Sequence, residues 1–274
     1  MNHKKADTAF YYVMVIFLAV IVLIPFFWMI STSLKSKGAL MALPVQWIPQ
    51  EPSLNAYRMV FTRFPFARAI FNSFFITVSH MAITIFSASM AAFAITKIKF
   101  PFANIIFKMY VATMMIPTQV TLIPLFIIMN KLGLINRFPS VILPSLFQPF
   151  GIFLLVQSMR AIPDDFIEAA RIDGASIFRI YYAVIMPLCA PALATLGITT
   201  FMSVWNDYLW PLVMLTDKTK MTLTLALNNL NGQYGTEYNV LMAGSLLSMI
   251  PIILLYSAVQ KQFKHGMMEG GVKS

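Results

Sequence analysis

Residues 10–30 read FYYVMVIFLAVIVLIPFFWMI, a run of 21 positions with no charged side chain. As a helix rising about 1.5 Å per residue, such a run just crosses the ~30 Å hydrocarbon core of a bilayer. Five further stretches of comparable length and apolar character follow, at about 70–95, 102–129, 140–159, 184–210 and 239–260. In hydrocarbon, backbone N–H and C=O groups must be satisfied within the protein, which leaves helices or a closed barrel. Runs this long, without the alternation of a barrel strand, predict helices. The first run exceeds a signal-peptide core and no small-x-small site follows it, so it is expected to be retained. The expected fold is an all-α membrane protein with six transmembrane helices.

Composition agrees. The chain is 59% hydrophobic and 11% charged, whereas soluble domains are about a quarter charged. The net charge of +10 is scattered between apolar runs, so no basic face with interleaved aromatics is available for nucleic acid. The single Cys189 excludes an intrachain disulfide. Prolines 117, 124, 144, 149, 191 and 251 fall inside the runs and predict kinks, which a packed bundle tolerates. The chain divides into residues 1–69, holding the N-terminal tail, the first helix and a long loop, and a core at 70–274. An even number of spans puts both termini on one side. With the termini inside, ten basic residues fall inside and nine outside, so the Lys/Arg bias barely orients the chain.

Catalytic chemistry finds little support. His3, His80 and His265 are far apart and lack metal-ligand spacing. The tail EGGVKS does not match a phosphate-binding loop and no strand precedes it. No cofactor is expected on this chain. An ion-driven carrier needs ionisable groups within the bilayer. Lys108 is expected to snorkel or pair at an interface, and His80 to be a hydrogen-bonded bundle residue. Asp207, in WNDYLWP, lies among interfacial aromatics. Energy is therefore expected from elsewhere.

One loop breaks the pattern. Residues 162–187 read IPDDFIEAARIDGASIFRIYYAVIMP, and Asp164, Asp165, Glu168 and Asp173 fall within ten consecutive positions of a chain with ten acidic residues. Pro163 with the two aspartates predicts a helix start, and Asp165 with Glu168 has capping-box spacing. Gly174 can end that helix at positive φ, and Ser176 can cap a second one. Phe166, Ala169 or Ala170, and Ile172 or Asp173 would form one short face. Small alanines let another protein approach closely, while Glu168 and Arg171 offer opposite charges for registration. A helix lying on lipid would be rich in Lys and Arg, so this acidic segment fits a protein partner better.

Glu168-Ala169-Ala170, Gly174, and then Val184, Met186 and Pro187 resemble the signature of the membrane permeases of binding-protein-dependent ABC importers. That signature is E-A-A, three residues, G, nine residues, I-x-L-P; Val and Met here replace Ile and Leu. NSFFITVS, IPTQVTLIPLFIIMNKLGLIN, WNDYLWPLVMLTD and QKQFKHGMMEGGVKS are similar to the MalG-type subunit of carbohydrate importers, over about 68–274. The resemblance implies a MetI-like permease fold in which the loop at 160–183 carries a cytoplasmic coupling helix. It implies a bacterial cell (inner) membrane with both termini cytoplasmic. It also implies a homologous second permease, an ABC ATPase dimer holding ATP and Mg, and an extracellular or periplasmic solute-binding protein. Glu168 would pair with a basic ATPase residue, Ala169 and Ala170 would allow close packing, and Gly174 would supply the bend. Arg171, Asp173 and Pro187 complete the coupling set, and 266–274 would also reach the ATPase. Gln119, Asn206, Tyr208 and Trp210 are candidates for the sugar path, with aromatic packing as the alternative for the last two. An anionic cargo would favour cationic cavity residues, and only Lys108 is available, which favours a neutral sugar. A polyol derivative such as glycerol phosphate, or a self-contained carrier, stays open.

Overall fold

The structure, a computed structural model, describes residues 2–63, 65–230 and 237–270. Among these residues every regular element is helical. The chain opens with α1 (Asn2–Ser33), α2 (Lys37–Leu40), α3 (Asn55–Arg63) and α4 (Phe66–Lys97). Then come α5 (Ala103–Thr113), α6 (Thr118–Lys131) and α7 (Pro139–Ile142), which runs through a 3-10 turn at Leu143–Phe147 into α8 (Pro149–Arg160). The charged loop forms α9 (Asp165–Ile172) and α10 (Ile177–Ile180), followed by a π-helical turn at Tyr181–Ile185 and α11 (Met186–Leu188). The remainder is α12 (Ala190–Trp205), α13 (Leu209–Met214), α14 (Leu223–Leu230) and α15 (Tyr238–Gly270).

Four of the apolar runs form helices long and apolar enough to span a bilayer, and two are bent pairs, giving up to six spans if each pair is one. The run expected at 102–129 is α5 and α6, bent by 102°. Pro117 sits at that break, where it disfavours helical backbone at Ile116. The run expected at 184–210 begins earlier, at Ile177, bends by 78° at the α11–α12 junction and ends at Trp205. Pro187 and Pro191 flank the bend. Of the prolines expected to kink their runs, Pro117 and Pro191 sit at the large breaks, whereas Pro124 and Pro251 lie inside α6 and α15 without one.

The chain forms two compact units. The first comprises residues 1–67 and 226–250. Within it, the most apolar stretch of 10–33 has a mean hydropathy of 3.0, and none of that stretch is buried in the chain. Among the described side chains, the end of α1 and the turn after it are packed: Ser31, Thr32, Ser33 and Lys35 are buried. Ser33 Oγ meets the Tyr57 hydroxyl at 2.9 Å, and the Lys35 ammonium lies 4.4 Å over the Trp28 ring and bonds the Gln46 carbonyl.

The second unit comprises 68–225 and 251–274. Its main core joins Ala88 and Ala92 of α4, Ile152, Leu155 and Met159 of α8, Ile167 of α9, and Leu196 of α12. Gly151 permits this crossing, since a Cβ there would lie 3.1 Å from Ala88 Cβ and 3.2 Å from Leu196 Cδ1. Small residues at helix crossings are how membrane helices approach closely.

Two sets of hydrogen bonds fix the sidedness of this unit. Near the start of α4, Asn72 Nδ2 donates to the carbonyls of Thr219 and Met221, both at 3.0 Å. At its end, Lys97 Nζ donates to the Ile162 carbonyl and to Asp164, both at 2.7 Å. Twenty-five residues of helix separate the anchors, about 38 Å at 1.5 Å per residue. The loop at 215–222 and the charged loop therefore lie at opposite ends of α4, roughly a bilayer apart.

Candidate functional site

The charged loop is a helix–bend–helix. α9 ends in a Schellman motif: Ala175 N–H donates to the Ala170 carbonyl at 2.9 Å and Gly174 N–H to the Arg171 carbonyl at 3.0 Å. Gly174 holds φ at +74°, as that motif requires. Ser176 Oγ then accepts the Arg179 N–H at 3.3 Å and caps α10. The expected capping box does not form. Asp164, not Asp165, occupies the cap position, in helical backbone and without a side-chain cap bond. Its carboxylate turns instead to Lys97, whose ammonium holds it below the usual aspartate range.

α9 buries Ile167 and half-buries Ala170 against the core. Phe166, Ala169, Ile172 and Asp173 are exposed, so of the two alanines only Ala169 belongs to the outward face. Ile172 is 86% exposed, and Ile177 and Phe178 extend the apolar surface beyond the bend. Glu168 and Arg171 are exposed and share a cleft of about 260 Å³ with Lys97, Lys99 and Asp164. Pro187 is not on this face. It lies in α11, beside the 78° bend. The stretch 266–274 lies in part outside the described residues, which end at 270.

At the other end of the same unit, α4, α6 and the α12–α13 connection surround a cavity of about 390 Å³. Its polar lining includes Ser73, Thr77, His80, Gln119, Asp207 and Trp210, and among the described residues contains no Lys or Arg. Trp210 is fixed in the wall by its indole N–H, which donates to the Ser140 carbonyl at 3.2 Å. Asp207 Oδ1 accepts the Trp210 backbone N–H at 3.4 Å, and the Asp207 carbonyl accepts the Thr224 hydroxyl at 2.7 Å. Of the four path candidates, Gln119 and Trp210 line the cavity. Asn206 and Tyr208 do not, and the Asn206 amide bonds back to the Met202 carbonyl of its own helix at 2.8 Å. Lys108, on exposed α5 surface, is also outside the lining.

Sequence reasoning missed Ser73, Thr77 and Asp207 as cavity residues and gave His80 only a packing role. A usable signal was present. Ser73, Thr77 and His80 recur at i, i+4 and i+7, one face of an otherwise apolar helix. His80 also meets the Thr84 hydroxyl at 3.4 Å, one turn along. Among the described residues no three His, Cys, Asp or Glu side chains gather closely enough to hold a metal ion.

Comparison with known proteins places this architecture. The profile of the family described as "Binding-protein-dependent transport system inner membrane component" matches residues 83–269. The chain belongs to this family. It is 32% identical to the arabinooligosaccharides transport system permease protein AraQ of Halalkalibacterium halodurans, over 94% of this chain and 93% of that one. It is 30% identical to the sulfoquinovosyl glycerol transport system permease protein SmoH of Agrobacterium fabrum, over 92% and 89% of the two chains. Among solved structures it is similar to a chain of a bacterial ABC transporter involved in the import of the acidic polysaccharide alginate. That match has a TM-score of 0.83 and 26% identity, over 96% of this chain and 98% of the other. As a binding-protein-dependent permease, this multi-pass membrane protein is a transport subunit and not an enzyme.

Proposed function

We propose that this permease imports a neutral oligosaccharide, as one of two homologous permeases driven by an ABC ATPase dimer and supplied by an extracellular or periplasmic solute-binding protein. The observation that carries the reading is the projecting face of α9: Phe166, Ala169, Ile172 and Asp173 exposed beside Glu168 and Arg171, on a helix locked by a glycine bend. An apolar patch framed by both signs of charge suits a groove on a protein better than a lipid surface. In this reading α9 is the coupling helix, both termini and the 160–183 loop are cytoplasmic, and the membrane is the bacterial cell (inner) membrane. ATP and Mg stay on the partner.

The cavity supports the cargo class. Hydroxyls, an amide, an imidazole and one carboxylate can exchange hydrogen bonds with sugar hydroxyls, and the fixed indole of Trp210 offers a flat apolar face to a sugar ring. With Asp207 in the lining and no Lys or Arg among its described residues, the cavity offers an anionic cargo no countercharge. The alginate importer takes an acidic polysaccharide, so its counterpart of this cavity is expected to differ in charge.

The test is purification of the intact complex and measurement of its ATPase activity with a panel of sugars. Arabino-, malto- and xylo-oligosaccharides are compared with uronate oligosaccharides and glycerol phosphate. The expected result is at least fivefold stimulation by one neutral oligosaccharide. Stimulation confined to an anionic cargo would overturn the cargo class. An ATPase that fails to co-purify would overturn the coupling reading.

A further inference from the structure

We infer that Lys97 is a positioning residue, a strut that ties the coupling loop to α4 so that displacement of α9 travels along α4 to the cavity. The inference rests on the coupling reading above and adds the route. One ammonium holds two points of the loop, the Ile162 carbonyl and Asp164 Oδ1, each at 2.7 Å. Charge-assisted bonds of that length resist being pulled apart more than neutral ones. The Lys97 side chain is only 4% exposed. Its ammonium is taken up by these two contacts within the chain.

Three routes lead from the loop to the cavity. The chain after the loop runs through α10, α11 and α12 to Ser203 and Val204 in the lining, interrupted by the π-helical turn at Tyr181–Ile185, by Pro187 and by the 78° bend. The chain before the loop runs back along α8 to Pro144 and Val141 in the lining, interrupted at Pro149 and by the 3-10 turn at Leu143–Phe147. Such interruptions are where helices kink. The third route is α4, which runs 32 residues without an internal Pro or Gly. From Lys97 back to Thr77 is about 30 Å of unbroken helix at 1.5 Å per residue. Along it the loop is held at one end while Ser73, Ile76, Thr77 and His80 line the cavity at the other. A continuous rod moves its far end when its near end is pulled; a jointed one folds.

The experiment uses the assembled complex of both permeases, the ATPase dimer and the binding protein, carrying Gln119→Cys as a reporter in the cavity wall. Its labelling by a methanethiosulfonate reagent is compared without nucleotide and after trapping with ATP and vanadate. The expected change is at least fivefold in the parent and under twofold in Lys97→Met, with the ATPase still co-purifying. Lys97→Arg, which keeps a buried cationic donor, is expected to restore most of the response. Lys97→Met that responds like the parent overturns the strut. So does Lys97→Met that loses the ATPase altogether, since a residue acting only in transmission leaves docking intact. Ile172→Asp, on the docking face, separates the two ideas. If it retains the ATPase, the coupling reading itself is wrong, whatever Lys97 does.

Discussion

Asp164 and Lys97 are 67 positions apart in sequence, and nothing local in either stretch announces that they meet. The glycine bend and the Ser176 cap were legible because each follows from backbone chemistry within a few residues. The capping box was misread because its spacing is only permissive: Asp164 had a better offer from a distant ammonium. The pairing has a pH signature. Lys97, with smaller contributions from Lys99 and Arg171, holds the Asp164 carboxylate below its usual range. For a depressed carboxylate, the contribution is present above the unfolded value, about 3.9, and is lost as pH falls through the lower folded value. Hydrogen exchange of the α9 amides is therefore expected to show constant protection from pH 7 to pH 5 and to rise only below about pH 4. Because the Asp164 side chain is 74% exposed, salt should also weaken the tether. Loosening centred near pH 6 would contradict this assignment.

At the scale of elements, the six apolar runs gave the helices, and the prolines marked where two of them break. The angles were not legible. A proline removes one N–H and narrows the preceding residue's backbone, but whether a run then bends slightly or by 102° depends on what each half packs against. Here α6 is drawn to the second core cluster through Met129, which joins Ile76, Val141 and Met214. The bend brings Thr118, Gln119 and Thr121 to the cavity. Pro117→Ala lifts the local prohibition and favours one helix of about 29 residues, some 43 Å long. The expected outcome is at least a tenfold fall in transport with normal membrane insertion, read together with altered thiol labelling of Gln119→Cys. Unchanged labelling would mean that packing alone holds the bend.

Over the whole molecule, membrane class and span count followed from hydropathy, while orientation did not. Ten basic residues against nine leave the positive-inside rule almost silent. Within the second unit the structure puts two loops on opposite faces, because Asn72 and Lys97 anchor them to opposite ends of one helix. Ile172 and Lys218, both exposed, report those two ends. In intact spheroplasts an impermeant maleimide is expected to label Lys218→Cys but not Ile172→Cys, and inverted vesicles from cells lacking the partner ATPase should reverse the pattern. Labelling of both positions from one side would remove the sidedness argument. The cavity was the least legible feature, since it is assembled from residues 73 to 222 and exists only once α4, α6, α7, α12 and α13 converge.

That labelling strategy is unusually clean for a reason built into the chain. Its only thiol, Cys189, lies at the 78° bend and is fully enclosed. Surface reagents should therefore pass the native protein by. Every introduced sulfhydryl becomes a single-channel reporter, and motion along the import pathway can be followed without first stripping the background.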